Sequence, residues 1–249
     1  MNPIDPTAPA FNPPPMPQAL PERLDFRTLF EALLRQPHAL VDRLAKPGHR
    51  ATGRFTLLAI VAFLIFGVVL GCFAKHEQLW TAPLKIGAGL VIAGTICFPS
   101  LFIFATLAGS RMSAGQIAAS LAGALALAGL LLLGFAPAVW IFAESTDSFG
   151  FMGTLSVGAW LIAALFGLRF LKTAVRSAGG IQRSPLLIWS TVFLLVTLQM
   201  TTSLRPILGR SDQLLTQEKK FFLQHWSEQF GRQHKPVEPT IPSGSHLTR

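Results

Sequence analysis

Tyrosine is absent from this chain of 249 residues, Asp and Glu number 12 against 21 Lys and Arg, and cysteine is limited to Cys72 and Cys97. The two thiols stand isolated inside apolar runs. They make neither a disulfide framework nor a metal site and read as small buried residues. Charged residues make up 13% of the chain, where soluble domains carry roughly a quarter. With 51% hydrophobic residues, that balance is the balance of a membrane protein. The N-terminal region is Pro-rich and polar, without the apolar core of a secretory signal, so the first apolar run is expected to stay as an anchor. The net charge of +9 is spread between and beside the apolar runs. Anionic lipid headgroups are therefore the expected acidic partner, and no nucleic-acid face is expected.

Catalytic patterns are also lacking. The chain has no GxSxG elbow, no GxxxxGK[ST] phosphate loop, no HExxH and no CxxC pair. Ionisable groups deep in a membrane are costly and mark function, and mid-span they are essentially missing here. Transporters usually carry such charges or a visible inverted repeat, and neither stands out. No cofactor, metal or catalytic residue is expected. One loose cluster remains, His76 and Glu77 in one link with Glu144 and Asp147 in another. Those links share one face if the topology below holds, and solvated loop charges explain them as well as a divalent-cation or hydrolase site.

What is present is length. Five apolar runs, about 55–74, 84–108, 116–143, 150–172 and 186–205, reach the roughly 20 residues needed to cross a hydrocarbon core. Short links carrying Gly, Pro, Ser or charge separate them, so residues 51–206 read as an all-α membrane domain of five spans. Before it, residues 22–50 hold two short amphipathic helices broken at Pro37, the first with Leu29, Phe30, Leu33 and Leu34 among Arg27, Glu31 and Arg35. They lie on the bilayer or cap the bundle; the spacing allows both. Residues 207–235 hold another amphipathic helix, with Leu215, Phe222, Trp226 and Phe230 on one face. The Pro-rich tail 1–21 and the tail 236–249 are disordered by composition.

Lys and Arg cluster before the first span and around the second and fourth links, which places the N-terminus inside. Arg205, Arg210, Lys219 and Lys220 weigh against that arrangement. Small residues mark helix contacts: 67-GVVLG-71 in the first span, also a candidate homodimer contact, Ala118, Ala122 and Ala126 in the third, Ala159, Ala163 and Gly167 in the fourth. Pro99 and Pro137 lie within spans, each freeing a carbonyl, as a packed kink or as a binding break.

The stretch 199-QMTTSLRPILG-209 closes the last span. Gln199 and Thr202 share a face, Thr201 falls on another, and Arg205 reaches the headgroup layer before Pro206 ends the helix. Gln and Thr can hydrogen-bond between helices, at about 0.6 kcal/mol per contact, and would satisfy carbonyls freed by Pro99 or Pro137. Alternatively, Gln199, Thr201, Thr202 and Pro99 line a polar path.

An amphipathic N-terminal segment followed by five closely linked spans is similar to the layout of Yip1-type multi-span membrane proteins. The strings 82-APLK-85, 97-CFPSLFIF-104, 134-GFAPAVW-140 and 199-QMTTSLRPILG-209 resemble those of an uncharacterised family of bacterial polytopic membrane proteins. There a CxPSLYxF-like and a QM…LRPFxG-like string recur, and Phe102 and Ile207 stand here for the usual Tyr and Phe. The resemblance covers about residues 25–230 and implies an architecture in a bacterial inner membrane, with no activity attached. The expected function is a non-enzymatic scaffold or partner-binding membrane component, with a homo-oligomer or a membrane protein as its partner; a small channel or transporter is the alternative.

Overall fold

The computed structural model describes residues 25–44, 52–73, 78–146 and 149–203. Among them every regular element is a helix: α1 (Phe26–Arg35), α2 (Pro37–Leu44), α3 (Thr52–Phe73), α4 (Gln78–Leu107), α5 (Ala114–Ser145), α6 (Phe149–Ser177) and α7 (Ser184–Ser203). Four of them are long and apolar enough to cross a membrane, over Thr52–Cys72, Ile86–Leu107, Ala114–Ser145 and Phe151–Ser177. The protein is thus an all-α polytopic membrane protein. Helix α7 has 20 residues, about 30 Å at about 1.5 Å per residue, but its apolar stretch Ser184–Gln199 is shorter than the other four. Residues 1–21, the amphipathic segment expected at 207–235 and the tail 236–249 lie outside the described residues.

Helix ends fall within a few residues of the apolar runs, with one correction. The link expected up to Pro83 is shorter, because α4 begins at Gln78 and holds Pro83 and Pro99 inside it. Pro83 is buried against α3, where a Cβ on Gly67 would sit 2.5 Å from the Pro83 Cα. Only glycine lets two backbones approach so closely. Gly67 therefore serves a contact within the chain, not the homodimer contact considered from its GxxxG spacing.

Helix α5 is the hub. Its first turn is closed by a capping box, in which the Ser113 Oγ accepts from the Gln116 N–H and the Gln116 Oε1 accepts from the Ser113 N–H at 2.8 Å. Its run of Ala and Gly from Ala118 to Gly129 lets other helices close in. On one side Gly129 faces Ala62 and Phe63 of α3; on another, the α6 Gly167 stands where a Cβ would lie 2.6 Å from the Ala124 carbonyl oxygen. Helix α3 also packs along α4, and α4 packs on α7.

Helices α1 and α2 settle against α5 and α6. Leu29, Leu33, Leu40, Val41 and Leu44 are almost wholly buried, with Leu44 close to Gly123 and Phe170. These contacts are those of a cap on the bundle. A second apolar stripe on α1, Phe26, Phe30 and Leu34, stays 43–48% exposed beside it.

Candidate functional site

Two helix ends meet at the same end of the bundle as α1 and α2. Helix α4 terminates in a Schellman motif, the Gly109 N–H bonding the Thr106 carbonyl and the Ser110 N–H the Ala105 carbonyl. Helix α6 does the same, Gly179 to Arg176 and Gly180 to Val175. Both C′ glycines have positive φ, 92° and 96°, a conformation only glycine adopts without strain. Each motif leaves one alanine carbonyl free, and the opposite link fills it. The Arg111 N–H donates to Ala178 O at 3.1 Å, and the Ile181 N–H to Ala108 O at 3.0 Å, joined by the Gln182 N–H at 3.2 Å. The paired positions differ by 70 throughout (108 and 178, 111 and 181). The hairpins α4–α5 and α6–α7 are therefore clasped about a local two-fold relation, in which α5 lies on α6 and α4 on α7.

Above the clasp the five long helices surround an apolar cleft. Phe63, Leu90, Leu125, Trp160, Leu168 and Phe193 are among its walls. It holds a cavity of about 30 Å³ inside about 430 Å³ of space that is partly open to the surroundings. Enough room for a water is present, but a water also needs two to four polar partners, and the walls offer almost none. The Thr197 hydroxyl reaches this lining, yet it donates to its own helix at Phe193 O, 2.7 Å away. Ser120, Ser156 and Ser190 do likewise, bonding Gln116, Met152 and Leu186 carbonyls. These four hydroxyls each bond a carbonyl within their own helix.

A polar contact between two long helices was not expected from the sequence. Trp189 of α7, 1% exposed, donates its indole N–H to Ser100 Oγ at 3.1 Å and to Cys97 O at 3.3 Å, while Ser100 itself donates to Cys97 O. The indole stacks on Phe193 with centroids 5.0 Å apart. The signal was available: a Trp inside an apolar run needs a partner for its N–H. The Pro99 region of α4 is thus tied to α7 by Trp189, about three to four turns before the Gln and Thr expected to do it.

Of the expected site residues, three have described side chains. Pro99 and Pro137 are both exposed on the outside of the bundle, and Gln199 is half-buried on α7. Thr201 and Thr202 extend α7 as backbone, their side chains undescribed, and Arg205 lies outside the described residues. Of His76, Glu77, Glu144 and Asp147, only Glu144 is described, and it is exposed. Among the described residues no three His, Cys, Asp or Glu side chains group to hold a metal. No protein-family model, curated protein or solved structure matches the chain.

Proposed function

We propose that this protein is a non-enzymatic scaffold, a multi-span component of a bacterial inner membrane that holds a protein partner at the clasped end of its bundle. The reading takes α7 as a fifth span and the cation-rich clasp end, with α1 and α2, as cytoplasmic. The observation that carries it is the interior: the cleft is apolar, and the buried hydroxyls around it each bond a carbonyl of their own helix. Solute conduction needs polar groups available to replace hydration, and the hydroxyls around the cleft are already bonded within their own helices. What the fold does present is a docked pair of amphipathic helices with Phe26, Phe30 and Leu34 uncovered, a surface suited to a partner or to the headgroup boundary. The family resemblance in four short strings supports the compartment and nothing about chemistry.

The test is flux through liposomes carrying the purified full chain, under ion, proton and small-solute gradients. The scaffold reading expects leakage no faster than empty liposomes. Flux that disappears in Gln199→Leu/Thr202→Val, with the fold kept, overturns it in favour of the channel reading.

A further inference from the structure

The clasp makes the bundle nearly symmetric, and one side of it lacks a wall. Helices α4 and α5 touch each other sparsely, but α3 packs along both and closes that side, sending Phe63 into the cleft. Helices α6 and α7 touch as sparsely. Among the described residues no helix stands beside them as α3 stands beside α4 and α5. The cleft is therefore flanked by the fewest helices between α6 and α7, where its lining residues Trp160 and Ala164 of α6 stay half-buried while Leu168, Phe193 and Thr197 are 5–6% exposed.

The α6 wall, from Trp160 to Leu171, is about 16 Å long at about 1.5 Å per residue. That is close to the depth of one leaflet in a core about 30 Å thick. Its edge continues into charge. Lys172 follows Leu168 by one turn on the same edge, half-buried, Arg176 follows Lys172, and Arg183 stands exposed just before α7. Residues 149–203 contain no Asp or Glu, and neither does the facing link 108–113, which adds Arg111. An apolar slot about one leaflet deep, ending in a group of cations beside the start of a helix, matches one kind of molecule by charge and shape.

We infer that the cleft between α6 and α7 is a binding site for an anionic phospholipid, with one acyl chain against Trp160, Ala164, Leu168 and Phe193 and the phosphate held by Lys172 and Arg183. The inference stands whether or not the scaffold reading does, because it concerns what fills the bundle and not what the bundle recruits. Lipid is the occupant already surrounding the opening, and basic pockets between spans on the clasp side suit such headgroups.

The experiment uses the full chain in bilayers of phosphatidylcholine titrated with phosphatidylglycerol carrying brominated chains, a short-range quencher of tryptophan. The signal of Trp160 is the difference between wild type and Trp160→Phe. Saturable quenching of that component at a low fraction of the anionic lipid is the expected result. Lys172→Ala/Arg183→Ala is expected to raise the half-saturating fraction about tenfold, and Ala164→Trp, which fills the slot, to abolish the saturable part in the Trp160→Phe comparison. Helix content and melting temperature in detergent, measured alongside, confirm that each variant is folded; the charge pair alone tests the proposal if Ala164→Trp does not fold. Brominated phosphatidylcholine quenching equally well, or quenching untouched by the charge substitutions, overturns the proposal. Shielding of Trp160 from both lipids by a dimer or a copurifying chain overturns it in favour of a docked helix.

Discussion

Helices α5 and α7 occupy equivalent places in the two clasped hairpins, yet they live in different surroundings. Ile117, Leu121 and Ala122 of α5 are at most 7% exposed, whereas their counterparts 70 positions on, Leu187, Thr191 and Val192, are all exposed, Leu187 by 59%. Side-chain size explains much of the difference. Helix α5 runs AASLAGALALAG where α7 runs IWSTVFLLVTLQ, and helices in lipid associate where small residues admit close backbones. A helix of alanine and glycine collects neighbours; one of leucine and valine meets the acyl chains. The same contrast explains why α5 has 32 residues, about 48 Å at about 1.5 Å per residue. It outruns a core of about 30 Å, and α1 and α2 pack beside it.

The comparison breaks most readily where backbones touch. Gly167→Val places a Cβ 2.6 Å from the Ala124 carbonyl oxygen, a clash with backbone that side-chain movement cannot relieve. Separation of α6 from α5 is expected, at about 3 kcal/mol or more, read as loss of folded protein in a detergent-denaturation series. Gly158→Ala on the same helix meets nothing within 4 Å and is expected to be neutral or to stabilise by up to about 1 kcal/mol.

Exchanging side-chain size between the equivalent helices comes next. Ala122→Val, on the crowded helix, is expected to cost about 1–3 kcal/mol. Val192→Ala, its counterpart facing outward, should change stability by less than about 0.5 kcal/mol. Equal costs would remove the distinction between the two hairpins.

The clasp itself predicts a matched pair of smaller effects. Gly109→Ala and Gly179→Ala, each at positive φ, are expected to cost about 1–2 kcal/mol apiece. Each should also speed hydrogen exchange at the amides of Arg111, Ile181 and Gln182 together, since one loosened link frees the other. Smallest is Trp189→Phe, which keeps the stacking on Phe193 and removes the donor to Ser100 and Cys97. About 1 kcal/mol is expected, and Ser100→Ala should add little to it if the two act as one contact, as a double-mutant cycle would read.

Much of this fold was legible before any coordinates. The apolar runs were long enough that span ends such as 150–172 against Phe149–Ser177 differ by five residues or fewer. The break at Pro37 was read correctly because proline both ends one helix and starts the next. Pro83 was misplaced in a link because its burial depends on Gly67, on another helix. The clasp was invisible for a different reason: its bonds are backbone to backbone between residues 67 to 74 apart, and only the glycines leave a mark in the sequence. At the candidate site, the polar cluster ending α7 drew attention by its composition, while the contact that ties α7 to the Pro99 region came from a tryptophan that looked like ordinary apolar filling.

The most direct measurement is lipid-phase footprinting of the unmodified protein in a bilayer, with a photoreactive group on the acyl chain and the insertions mapped by mass spectrometry. The account predicts label on α7 at Leu187, Ile188, Val192 and Leu195, exposed by 48–59%, and on the α6 edge at Ala164 and Leu168. It predicts almost none on Ile117 and Ala122 of α5, which are buried and do not line the cleft. Equal labelling of α5 and α7, or protection of the α6–α7 cleft, would contradict it.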